Sequence, residues 1–456
     1  MMQDGLHIGL AAWINQQRNT GSFVVYPPSP IATELADLGT VKNATDLNKA
    51  AEFALLVNFI PRQGQVAQTF SSLSPLWEVH RDVLGGMDFA AEPWTSSEKA
   101  QYQAARATLY TTDASGHLAP SRELQLYEEM KSAYQDVQQV GGSETEIAEA
   151  LANWLVLGYK QSVEDALETI VRLSSRSSRN QAESEKAVLE PSRLPVRGDG
   201  LAFAATYFAP ISAIVRETWL EAKVTFEQLD TAVGNSPAGQ QWKAYRANRN
   251  GEVLFNYAAV SCLRPWYTPS LYQRDDWKLS TEGTFVSKGN GAEGLLPAYV
   301  DAVYLVSVKD VTVRAMSPPP PGLPRSPWPR PGMILNPVVA EARLAQPKSL
   351  DSSGSPREGV VAKAVTTASN LALAQQSGTI LRSTATAGSF TTLNLGLVRR
   401  VTAADLAQRY TVAHQVLEGQ IQPSVPAPEA PQIYVSGFGC AKVPYAPNPN
   451  LSYTWS

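Results

Sequence analysis

The chain is short of the side chains that most chemistry depends on. Its 456 residues hold two cysteines, Cys262 and Cys440, and four histidines, His7, His80, His117 and His414. Two cysteines exclude a disulfide framework and leave at most one bridge, Cys262 with Cys440, whose formation the sequence leaves open. The histidines are scattered, without H-E-x-x-H spacing or cysteine partners, so no metal site is expected. There is no G-x-x-x-x-G-K loop for phosphates and no G-x-S-x-G elbow to present a serine nucleophile. Excess positive charge is also missing: 38 Lys and Arg against 42 Asp and Glu give −4, which argues against retention on nucleic acid by counterion release. The longest strongly apolar uncharged run, Gly200–Val215, is 16 residues and is broken by Pro210, short of the roughly 18 that span a bilayer. Met1–Gln16 carries Asp4, His7 and Trp13 and no basic start followed by an apolar stretch, so no export signal is expected. The expectation is a cytoplasmic product as synthesised, with release by lysis or non-classical export as the route outward.

What is present is core-forming material. Apolar residues make up 44% and charged residues 18%, the balance of a globular chain. At roughly 150 residues per domain the length suggests about three units. From Thr95 to Lys186 the pattern is helical. Thr95 with Glu98 and Ser143 with Glu146 have capping-box spacing. Leu124, Tyr127, Met130, Tyr134 and Val137, then Ile147, Leu151 and Trp154, then Val163, Leu167 and Ile170 recur at three and four, each set one face of an amphipathic helix. Gly141 and Gly142 mark a helix end and reversal.

After Gly200 the period shortens to two. Trp219–Phe226, Val253–Leu263, Tyr299–Val313, Thr391–Val398 and Ile433–Val443 read as strands, with one further helix over 403–418. Two Pro-rich stretches, 317–332 and 422–431, read as extended loops. The N-terminal 94 residues read as mixed, with a helix over Leu47–Val57 and an extended arm over Phe23–Tyr26. The expected fold is therefore α+β: a mixed segment 1–94, an α-helical domain 95–195 of amphipathic hairpins, and a β-rich, sandwich-like domain 196–456.

Several motifs invite function. Gly289, Gly291 and Gly294 fit G-x-G-x-x-G, but Leu295, Leu296 and Pro297 lead into a strand rather than a helix, so a glycine-rich hairpin loop is expected and no cofactor. Arg197, Gly198 and Asp199 form an RGD tripeptide that a plain turn explains. Asp275 and Asp276 are neighbours on a chain and cannot flank one scissile bond. Trp266, Tyr267, Tyr272, Arg274 and Trp277 form the densest aromatic segment. They could stack on sugar rings or anchor an interface, and they equally suit the plugged end of a β core.

Two features bear on assembly. Residues 92–168 hold 13 acids and 5 bases, whereas 308–410 hold 12 bases and 5 acids. Opposite charge on two parts of one chain favours head-to-tail contact between copies, or else pairing within one monomer. Residues 364–398 carry Arg382 as their only charge, and Leu393, Leu395 and Leu397 alternate there in the manner of a membrane hairpin. The function expected is a non-enzymatic protein that associates with copies of itself, with no cofactor and no nucleic-acid partner. One alternative is a soluble protomer of a pore-forming toxin, the only reading that involves a membrane. Its helices-then-strands layout resembles that of some bacterial insecticidal toxins, a likeness of layout carried by no residue motif. A hydrolase with an unrecognised site is the other.

Overall fold

A computed structural model describes residues 5–18, 23–35, 37–38, 46–65, 67, 74–90, 94–112, 116–139, 141–234, 239–247, 249–315, 397–398, 403–421, 432–450 and 452–453. Both Pro-rich stretches, Leu393 and Leu395 lie outside them. The helices are α1 (Leu6–Arg18), α2 (Leu47–Val57), α3 (Leu76–Gly85), α4 (Ser96–Leu109), α5 (Arg122–Gln139), α6 (Glu144–Val156), α7 (Lys160–Arg176), α8 (Arg179–Val188), α9 (Phe226–Val233), α10 (Gly239–Arg246) and α11 (Ala403–Leu417). The strands that organise them are β1 (Phe23–Val25), β2 (Ile31–Thr33), β3 (Met87–Phe89), β4 (Tyr110–Thr112), β5 (Leu118–Pro120), β6 (Tyr207–Ala209), β7 (Leu220–Thr225) and β8 (Arg249–Leu263). They continue as β9 (Trp277–Leu279), β10 (Ser287–Lys288), β11 (Ala298–Ala315), β12 (Leu397–Val398), β13 (Ile433–Lys442) and β14 (Tyr445–Ala446). The fold is α+β with antiparallel sheets.

One large sheet runs β1-β13-β11-β8-β7-β12, with β2 also on β13 and β6 on β8. Its spine is the ladder of β11 with β8, Ala302↔Ser261 through Ala315↔Arg249. Both faces are covered. On one, Ala302, Tyr304 and Val306 join Val253, Phe255 and Tyr257 against α1, α9 and α10. On the other, Val300, Val303 and Leu305 pack with Phe208, Val435 and Phe438 against α2 and α11. The N-terminal arm expected over Phe23–Tyr26 is instead strand β1, paired with the C-terminal strand β13 through Phe23↔Cys440.

The helix α1 carries no sequence signal because the nine residues from Leu6 to Ile14 are all buried, and burial on every side leaves no helical period. Trp13 meets Phe255 and Tyr257 edge-on at 5.8 and 5.7 Å. At Gly437 a Cβ would lie 2.6 Å from the Ala11 Cβ, so the absence of a side chain on β13 sets how closely α1 approaches.

Within 95–186 the capped and striped segments form helices, and the paired strands β4 and β5, which the helical pattern did not predict, interrupt them. Both capping boxes close, Thr95 with Glu98 and Ser143 with Glu146. Gly141, at φ 69°, ends α5, and a Cβ on Gly142 would lie 2.6 Å from Val137. Tyr127 and Tyr134 flank Trp154 at 5.4 and 5.5 Å, joining the stripes of α5 and α6 in a core that also takes Val163, Leu167 and Ile170 of α7.

Gly437→Ala is expected to destabilise the protein by about 1–3 kcal/mol, the usual cost of overpacking, read as a lowered denaturation midpoint. An unchanged midpoint would show that α1 is not seated on β13.

Candidate functional site

The aromatic segment singled out by sequence faces inward. Trp266, Tyr267, Tyr272 and Trp277 are buried in a core with Trp77, Leu84 and Leu296. The indole N–H of Trp266 donates to the Ala205 carbonyl at 2.9 Å and that of Trp277 to Leu271 at 3.1 Å. Sequestered in this way, the four rings present no stacking platform. Arg274 donates to the Ser175 carbonyl at 2.6 Å, tying this segment to the end of α7.

Against these rings lies a relay that spacing alone could not show. One ring nitrogen of His80, on α3, is 2.9 Å from the Glu185 carboxylate of α8, and the other is 2.5 Å from the Tyr272 hydroxyl. Gln181 donates to the second Glu185 oxygen at 3.1 Å. His80, Tyr272 and Glu185 are each 0% exposed. The set has the composition of an acid–base relay without a face open to substrate, and what it does is clamp α3 to α8.

A more open arrangement lies between α5 and the sheet, where two adjoining clefts share Glu128, Lys131 and Ser261. One has an apolar wall of Leu109, Leu124 and Leu167 facing Asp301, Arg264 and Tyr267. Asp301 is here because β11 bulges. Val300 pairs with Cys440 and Ala302 with the next residue, Gly439, which leaves Asp301 without a partner on β13. A bulge re-aims a side chain. Asp301 is 6% exposed, and burial pushes its carboxyl up to about 6, although Arg18, Arg264 and Lys131 pull the other way. The buried Tyr267 hydroxyl has no hydrogen-bond partner. The cleft thus offers a carboxylate, a phenol and an apolar wall, a set suited to holding a small polar group.

Sequence reasoning missed Asp301, although a lone acid inside the apolar run Ala298–Val308 was the available signal. Among the other motifs, Arg197 is ion-paired with Asp199, and the Gly198 N–H donates to Asn48 at 3.1 Å, so the tripeptide is a turn closed on itself. The loop of Gly289, Gly291 and Gly294 has all three at positive φ, and Arg62 donates to the carbonyls of Ala292 and Gly294 at 2.5 and 3.0 Å. Asp276 accepts from the Ser178 N–H at 2.8 Å, while Asp275 accepts from Asn450. Leu397 lies opposite Lys223 in β12. Among the described residues no group of three or more His, Cys, Asp or Glu is placed to hold a metal ion, and no helix is long and apolar enough to cross a membrane.

Cys262 and Cys440 are both free. They sit on β8 and β13 with β11 between them, about two strand spacings of ~4.8 Å apart, too far for a bridge. Burial pushes the Cys262 thiol up to about 11 and raises that of Cys440 as well.

The acidic stretch and the basic stretch share one ion pair among the described residues. Arg409 of α11 donates to Asp136 of α5 at 2.6 Å, and its second Nη reaches the Thr218 carbonyl at 3.0 Å. Burial pushes Asp136 up, against the pull of that guanidinium. Glu144, Glu149, Asp165 and Glu168 of α6 and α7 stay exposed.

No protein-family model, no curated protein and no solved structure matches the chain.

Two outcomes follow from the buried groups. Folding raises the Asp301 pKa from 3.8 to about 6, so the folded state binds the extra proton between those values, and stability falls as pH rises through that window and stays lower above it. Asp301→Asn should therefore stabilise the protein by on the order of 1–3 kcal/mol above about pH 7 and give no gain below about pH 4, measured by denaturant titration. A gain at acid pH, or a loss at neutral pH, would show that Asp301 is held as a charged partner. Second, iodoacetamide at neutral pH should leave both thiols of the native protein unmodified and label both in denaturant, since the thiolate is the reacting form. Rapid labelling of half-buried Cys262 in the native protein would contradict a thiol held protonated by its surroundings.

Proposed function

We propose that this chain is a non-enzymatic structural subunit that acts by associating with copies of itself. The observation that carries the reading is the separation of charge. Of the 12 bases in 308–410, nine fall in 316–402, together with three acids. The carboxylates of Glu144, Glu149, Asp165 and Glu168 stand exposed on α6 and α7. Among the described bases of this stretch, Lys309 and Arg409 pair within the monomer, with Glu221 and Asp136. Complementary potentials steer association and fix register, and a heterologous contact closes into a ring or extends as a filament.

In this reading the helical stretch 95–195 and the β-rich, sandwich-like stretch 196–456 are the poles that meet between copies, and the place of action is the cytoplasm. The mixed segment 1–94 supports the second pole, since β1 and β2 are paired with β13. The buried His80 relay gives a hydrolase no accessible base. The membrane-hairpin reading of 364–398 falls almost wholly outside the described residues.

At low ionic strength the full chain should sediment well above 49.3 kDa. Raising the salt should shrink the species, as the screening length falls from about 10 Å at 0.1 M to about 3 Å at 1 M. A monomer at every salt concentration would remove the proposal.

A further inference from the structure

Among the described residues, the turn between α6 and α7 exposes apolar surface. Leu155 is 50% exposed, Val156 75% and Tyr159 42%. The corner is rigidly built. A Cβ on Gly158 would lie 2.7 Å from the Trp154 carbonyl and 2.9 Å from the Met130 Cβ, so the chain turns hard against α5. Tyr159 holds φ 51°, the left-handed region, without being glycine. Such strain is sustained only where the surroundings fix it, and it clusters where side chains are presented for use. Lys160 lies over the Trp154 ring at 4.8 Å and pairs with Glu164 at 2.6 Å, which pins the start of α7.

We infer that Leu155, Val156 and Tyr159 form the apolar centre of the contact through which a second copy of this chain docks, with Glu149, Asp165 and Glu168 as its acidic rim. The inference rests on the self-association reading and gives it a place. An apolar and aromatic centre within a polar rim is the usual anatomy of an interface. The occupant is chosen by charge: the rim is acidic, and residues 316–402 carry an extended excess of opposite charge, nine bases against three acids. Reach permits it. Eighty-one residues separate Ala315 at the end of β11 from Leu397 in β12, so the middle of that stretch can extend up to about 130 Å from its anchors at ~3.3 Å per residue. A lipid surface fits less well, because exposed carboxylates are repelled by anionic headgroups.

The test compares sedimentation of the full-length wild type with Val156→Asp and Tyr159→Gly at low salt. Val156→Asp places a carboxylate at the most exposed apolar position, and Tyr159→Gly removes the ring while suiting the backbone there. Melting curves should show both variants folded. The expected result is an assembling wild type and a self-dissociation constant raised about tenfold or more in each variant. Variants that assemble like the wild type would overturn this contact and leave the charge-based proposal standing, whereas a wild type that stays monomeric at low salt would overturn both. In a parallel arm with phosphatidylcholine vesicles, wild-type binding abolished by Val156→Asp would assign the corner to a membrane and overturn the second copy as occupant.

Discussion

The paired strands β8 and β11, covered on both faces, are the constraint from which the rest of the molecule follows. A sheet with one wet face can be built from alternating residues, but one covered on both needs a nearly unbroken apolar run. Such runs are present: Ala298–Val306 on β11 apart from Asp301, and Ile433–Cys440 on β13 with only Ser436 polar. Ser436 donates to the Tyr304 carbonyl at 3.1 Å, which satisfies it in place. Covering both faces demands helices from distant parts of the chain. The first helix and the strand after it close one side of a sheet whose last long strand begins at Ile433. The end of the chain that carries β13 is therefore needed to complete the core that α1 enters.

How much of this could be read from sequence depends on whether a residue's surroundings are local. Helices with one wet side announced themselves: Leu47–Val57 formed over the expected residues, and α5 to α7 formed with the stripes inward and the capping boxes closed. The strands at Leu220, Val253, Tyr299 and Ile433 were legible as β-branched and aromatic runs. The helix α1 was not, because burial on every side erases the period that marks a helix. Phe23–Val25 read as an arm because its pairing partner lies more than 400 residues away. Composition identified the aromatic segment and could not say which way it faced. His80, Tyr272 and Glu185 come together only in three dimensions, from two α-helices and the short 3-10 helix Pro269–Gln273.

Charge works on two scales here. Buried inside, Arg409 meets Asp136 and Glu129 accepts from the Ser212 N–H at 3.1 Å. Both carboxyls are pushed up by burial, so neither contact is a cheap source of stability. Their effect is placement: α11 and the segment around Ser212 are fixed against α5. At the surface the acids of α6 and α7 face water, where single pairs add little and only a dense opposing surface produces a strong field. The inner pairs thus hold the helical block in one orientation, and that orientation decides where its acidic face points.

Asp301 joins the two themes. Along β11, Val300 faces the same core as Val303 and Leu305, whereas Ala302, Tyr304 and Val306 face the other. Strict alternation would put Val300 with Ala302. The extra residue at 301 reverses the parity, as a one-residue shift in a strand must. A residue is therefore required at this point for both cores to fill, but its carboxylate is not, because an apolar or amide side chain keeps the same backbone count. The acid is carried at a cost in desolvation, in a cleft that also holds the unpartnered Tyr267 hydroxyl, on a strand that, like β8 and β13, serves both cores. Departures from the local rules of packing are expected at functional or strained positions, and Asp301 is one such departure, in the cleft between α5 and the sheet.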